Sequence, residues 1–121
     1  MPVRSLNSSV LKWPDRKAVD AALRSLAGRL AASHPELLRL GYYGSYARGD
    51  WGVGSDVDIV AIVKACDEPF AERARAFDVS GLPVPADMLV YTAAEWQDMQ
   101  AEGRRLSREL DREAVWVFAR E

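Results

Sequence analysis

The stretch Gly44-Ser45-Tyr46-Ala47-Arg48-Gly49-Asp50, followed by Trp51 to Ser55 and then Asp56-Val57-Asp58-Ile59-Val60-Ala61-Ile62-Val63, decides how this chain is read. Its last eight residues are the strongest strand signal in the sequence, β-branched and apolar behind a glycine-rich run. Side chains alternate along a strand, so Asp56, Asp58, Val60 and Ile62 share one face. Val57, Ile59, Ala61 and Val63 share the other. Beyond the acids both faces are apolar, which makes the strand central and covered twice. Three occupants are open for the second face: the C-terminal tail, a second copy, or a partner chain.

Asp56 and Asp58 stand roughly 7 Å apart by backbone rise. A third acid, Asp87, lies in the next apolar stretch, Pro85-Ala86-Asp87-Met88-Leu89-Val90, and joins the pair if the two strands run side by side. Such a cluster is unfavourable alone, because two unit charges 4 Å apart repel by about 4 kcal/mol at an effective dielectric near 20. A hard divalent cation relieves it. Oxygen donors with no softer ligand nearby fit Mg²⁺ or Mn²⁺ and not zinc. Gly44-Ser45 supplies the complementary half. Glycine lets backbone approach a phosphate closely, and a hydroxyl with free N–H groups at a helix start receives its oxygens. Phosphate cradle and metal-binding acids together are equipment for phosphoryl or nucleotidyl transfer.

Outward from this stretch, the chain reads as α-β-α-β-(α)-β-α-β. Pro14-Asp15 starts a helix whose apolar face is Val19, Ala22, Leu23, Leu26 and Leu30, and His34-Pro35 ends it. Residues 37–43 form a first strand, and the Ser45–Asp50 segment has room for one helical turn. Residues 67–78 are helical or a helical loop with Phe70 and Phe77 inward. A third strand runs over 84–92, behind the Pro83-x-Pro85 pair. Helices follow over 93–101 and 104–113, and Val115 to Phe118 makes a last short strand or a packed tail. Residues 1–13 read as an N-terminal arm and 14–121 as a single domain.

Composition narrows the function. The 121 residues carry 16 basic and 18 acidic side chains, a net charge of −2, without the basic excess of a dedicated nucleic-acid binder. Cys66 and His34 are the lone residues of their types, which excludes an internal disulfide and a Cys-built zinc site and argues against a Ser-His-Asp triad. No apolar run approaches the twenty residues of a membrane span, and the opening residues do not form a signal peptide. The expectation is a cytoplasmic protein without a membrane association.

The segment GSYARGDWGVGSDVDIVAIV resembles the signature of the DNA polymerase β-like nucleotidyltransferases, matching Gly-Ser, ten residues, Asp-x-Asp in spacing and identity. The short chain is similar to the minimal nucleotidyltransferases of that superfamily. The resemblance implies a small mixed β-sheet with helices mainly on one face and an acid-lined cleft on the other. It implies transfer of a nucleoside monophosphate, AMP in the first instance, from an NTP such as ATP to a hydroxyl, with release of pyrophosphate. Two Mg²⁺ or Mn²⁺ ions would bind Asp56, Asp58 and Asp87. Gly44 and Ser45 would hold the triphosphate, with Arg48 in phosphate contact or loop structure and Ser55 in substrate contact or loop capping. Minimal nucleotidyltransferases often pair with a small helical HEPN protein as toxin and antitoxin, and some modify a tyrosine on it. The alternatives are a non-catalytic antitoxin or scaffold acting by contact, self-association, and a nucleotidyltransferase for antibiotics or other small molecules.

Overall fold

A computed structural model describes residues 13–120; the N-terminal arm expected over 1–13 lies almost wholly outside the described residues. Helix α1 (Arg16–Ser33) starts where the sequence signals it, with the Asp15 carboxylate accepting the Ala18 N–H. Its stripe of Val19, Leu23, Leu26, Ala27 and Leu30 is buried against the sheet, each large side chain contributing roughly 1.5–3 kcal/mol. Strand β1 (Leu37–Tyr43) leads through a one-turn helix α2 (Ser45–Arg48) and a glycine loop into β2 (Val57–Val63). A 3-10 segment (Phe70–Ala76) precedes β3 (Ala86–Thr92). Helices α3 (Ala93–Glu102) and α4 (Arg105–Glu113) and strand β4 (Val115–Ala119) complete the order.

The four strands form one mixed sheet in the order β3-β2-β1-β4. β1 is antiparallel to both β2 and β4, and β2 is parallel to β3. β2 is therefore central, as its two apolar faces require. Val57, Ile59, Ala61 and Val63 pack under α1 in the larger core, while Val60 and Ile62 pack with Leu110 of α4 in a smaller one. The mixed sheet is the expected one. The refinement is that helices lie against both faces: the longest on one, the C-terminal pair on the other. Of the three occupants open for the second face, the C-terminal segment takes it, with Trp96, Leu106 and Trp116 closing over Val60 and Ile62.

The parallel crossover from β2 to β3 differs from expectation in one residue. Phe77 is buried against the α1 core, beside His34, but Phe70 is 42% exposed and leans on Tyr91 at the sheet's edge. The reason is Arg73, the buried residue of this segment, which turns the 3-10 turn toward the edge strand. Its guanidinium donates to the Val90 and Glu68 carbonyls at 3.1 and 3.0 Å and forks onto both Glu95 oxygens at 2.6 and 3.0 Å. Glu95 also closes a capping box with Thr92 at the start of α3. The Arg73 bonds hold the Glu95 carboxyl down at about 2, against 4.5 ordinarily. The folded protein therefore releases this proton more readily than the unfolded chain. The stabilisation is complete above pH 4.5 and is lost as pH falls from there toward about 2.

Arg73→Ala is expected to cost about 2 kcal/mol, less than the roughly 3–5 kcal/mol of a fully buried pair because the Glu95 side chain stays partly exposed. Urea melts of wild type and variant at pH 7 and pH 3 check both statements. The stability gap between the two proteins should narrow at the lower pH.

Candidate active site

The site assembles where β1 ends and β2 and β3 begin. Because β2 and β3 are parallel and in register, Asp58 and Asp87 are direct cross-strand partners, on strands that lie about 4.8 Å apart. The Val57 N–H donates to the Pro85 carbonyl at 2.9 Å, pinning the two strand starts together. Asp56 stands one residue ahead of β2 and is exposed, as is Asp87; Asp58 is half-buried. All three acids lie beyond the end of the smaller core, on the sheet face opposite α1. The Asp58 carboxyl is pushed above the ordinary aspartate range, first by burial, then by the charges of Asp87 and Asp56. Arg48 opposes that shift and Glu113 adds to it.

Gly44 borders Asp58 on the other side. It sits at φ +79°, a region open chiefly to glycine. A Cβ there would come within 2.3 Å of the Asp58 carboxylate. The missing side chain thus leaves room for Asp58 itself, a role distinct from the phosphate approach expected from sequence. Ser45 opens α2, and its carbonyl accepts the N–H groups of Gly49 and Asp50. Arg48, half exposed, donates from Nε to Asp50 at 3.2 Å and from Nη1 to Glu113 at 3.1 Å. Ser55 closes the loop: its Oγ accepts the Gly52 N–H at 2.8 Å, and its own N–H donates to the Gly52 carbonyl. Its geometry is that of a loop cap. Trp51 stacks flat on the buried Tyr46 ring at 5.4 Å, which anchors the same loop.

Two residues at the site carry no signal that sequence reasoning used. Tyr43, the last residue of β1, pairs with Asp58 across the antiparallel ladder. Burial, and then the charge of Asp58, pushes its hydroxyl up to about 12, so it stays protonated beside the acids. Glu113, at the end of α4, accepts the Gly44 N–H at 2.8 Å. Read along the chain it is one more charge in Arg108-Glu109-Leu110-Asp111-Arg112-Glu113, indistinguishable from a solvated helix face.

As placed, no three acid, histidine or cysteine side chains among the described residues converge at metal-holding distance. The donor chemistry nevertheless fits a hard cation. Asp58 feels both neighbouring carboxylates as negative charge that Arg48 offsets only in part, all donors are oxygen, and rotation about the side chains of adjacent strand residues is what ligation would require.

The structure thus places three carboxylates at the start of paired parallel strands, beside a glycine-opened helical turn. The sequence model of the nucleotidyltransferase domain matches residues 23–114, and the chain belongs to that family. It is a nucleotidyltransferase by class. No curated protein matches the chain. Among solved structures, it is similar to a Sulfolobus solfataricus protein assigned provisionally as a nucleotidyltransferase. That match has a TM-score of 0.61 and 20% identity, over 87% of this chain and 84% of the other. It is also similar to a chain of a toxin–antitoxin complex with AMP-PNP. There the TM-score is 0.52 and the identity 16%, over 84% of this chain and 74% of the other. At these identities the likeness speaks for the fold.

Proposed function

We propose that this chain transfers a nucleoside monophosphate, AMP from ATP in the first instance, to a hydroxyl of a protein partner, as the antitoxin of a toxin–antitoxin pair. The observation that carries the transfer is the register of Asp58 with Asp87 beside Gly44. The structural likeness to a toxin–antitoxin chain crystallised with AMP-PNP supports the nucleotide and the setting. A tyrosine on a small helical HEPN-type protein is the acceptor this reading favours, and an NTP-consuming reaction suits the cytoplasm.

Asp56, Asp58 and Asp87 would hold the divalent cations, Mg²⁺ or Mn²⁺. Bound there, such ions supply charge neutralisation for the triphosphate and acidify the acceptor hydroxyl. Arg48 offsets negative charge beside Asp58, and the Ser45 hydroxyl donates to a phosphate oxygen. Asp87, on the more exposed strand, receives the acceptor's proton. The acceptor oxygen bonds to the α-phosphorus as the bond to the bridging oxygen of pyrophosphate breaks, in line. The proton then passes to solvent.

Thermal melts test the nucleotide site. Mg·ATP at about 100 times its dissociation constant should add roughly 2.7 kcal/mol of stability, and EDTA should abolish the gain. A melt unmoved by saturating Mg·NTP of every base counts against the reading. Incubation with labelled ATP, Mg²⁺ and cell lysate, followed by identification of the labelled species, tests the acceptor.

A further inference from the structure

We propose that Glu113 is a positioning residue of the nucleotide site: its carboxylate fixes the Gly44 peptide against Asp58 and holds Arg48 beside the acids. The inference rests on the nucleotidyl-transfer reading above and adds to it a residue from the opposite end of the chain.

Glu113 lies 69 residues from Gly44 in sequence, and its side chain is only 13% exposed. One oxygen, Oε2, accepts from two donors: the Gly44 N–H at 2.8 Å and Arg48 Nη1 at 3.1 Å. Both donors belong to the turn that faces the acids. Hydrogen bonds to an ionised acceptor are the strong ones, roughly twice a neutral bond. Other bonds hold these two donors only in part. Gly44 occupies a φ that glycine adopts without restraint; its carbonyl accepts the Arg48 N–H at 2.9 Å, but its own peptide N–H is held by Glu113. That peptide carries the Cα on which the Asp58 carboxylate rests. Arg48 is a long, half-exposed side chain whose other partner is the exposed Asp50. Through Glu113 both are tied to the end of α4, which Leu110 anchors in the smaller core.

The placement also carries a cost that a purely structural bond would avoid. Glu113 adds a third negative charge to those acting on Asp58, beside Asp87 and Asp56. A neutral carboxamide could accept the Gly44 N–H without that penalty, but it could not hold the guanidinium as an ion pair. The carboxylate is required for Arg48.

The test is calorimetric titration with Mg·ATP and the other Mg·NTPs, reading dissociation constant and stoichiometry separately. Glu113→Ala should weaken binding by about 10-fold or more, the worth of a lost charge-assisted bond, with stoichiometry unchanged. Glu113→Gln should fall between wild type and Glu113→Ala, because its carboxamide oxygen still accepts the Gly44 N–H. Arg48→Ala combined with Glu113→Ala should be no worse than the product of independent losses and clearly better, since the two residues act as a unit. A merely structural role would lower the stoichiometry, as part of the protein unfolds, and leave the dissociation constant alone; that result overturns the inference. So does tighter binding by Glu113→Ala, which would make the carboxylate a competitor for the phosphate seat. Unchanged binding in both variants while wild type binds overturns this inference alone. Wild type that binds no nucleotide overturns it together with the reading beneath it.

Discussion

Asp56→Asn combined with Asp58→Asn is expected to lower labelling of any acceptor at least about 10³-fold, a loss near 4 kcal/mol of transition-state stabilisation. The fold should survive, because both acids lie beyond the apolar packing of Val57, Ile59 and Val63. The apo protein should in fact become more stable. Asp58 has its carboxyl raised by burial and by two neighbouring acids, so the folded chain binds this proton more tightly than the unfolded one. Stability therefore falls as pH rises through the titration, and the full penalty stands at neutral pH. Asparagine removes the charge and the penalty together. Melting curves should show a higher apo Tm with no response to Mg·NTP. Co-expression with a helical toxin partner separates the remaining readings. If the double variant still protects cells and no partner ever gains a nucleotide, the chain works by contact and not by catalysis.

Gly44→Ala is expected to do comparable damage by a different route. An L side chain at φ +79° is strained by about 1–3 kcal/mol, and stability should drop by that order. The larger consequence is local. The new Cβ would stand 2.3 Å from Asp58 Oδ2, so the carboxylate must move. A displacement near 1 Å at a reacting centre costs about 10² in rate. Transfer should therefore fall by that factor or more in protein that still folds cooperatively at a slightly lower denaturant midpoint. Near-normal activity in Gly44→Ala would mean that the position of Asp58 does not govern the reaction.

Much of this architecture can be read locally. Asp15 before an apolar stripe at helical spacing starts α1, and the same stripe lies on the sheet. The two apolar faces of Val57 to Val63 demanded a central strand, and β2 has neighbours on both sides. The last apolar segment, open between strand and tail, became a strand because β1 offers it an antiparallel edge. Gly41 makes that edge fit: a Cβ there would come within 2.8 Å of the Trp116 ring.

Other features have no local signal. Phe70 carries the same apolar label as Phe77, yet one leans on the rim and the other is buried. The difference lies in where Arg73 finds Glu95, 22 residues away.

By itself the sequence determined the alternation of elements, the central strand and the spacing of Gly44-Ser45 from Asp56 and Asp58. Each of these is a property of neighbouring residues: strand period, helix period, or the conformational freedom of glycine. The tertiary structure alone decided that β2 and β3 run parallel in register, which makes Asp58 and Asp87 partners. It alone decided that the C-terminal helices cover the second face, and that Glu113 reaches back to Gly44 and Arg48. These pairings join residues tens of positions apart. The chain reveals which side chains could pair; only closure of the sheet, with its entropy cost offset by both cores, selects the pairs that form.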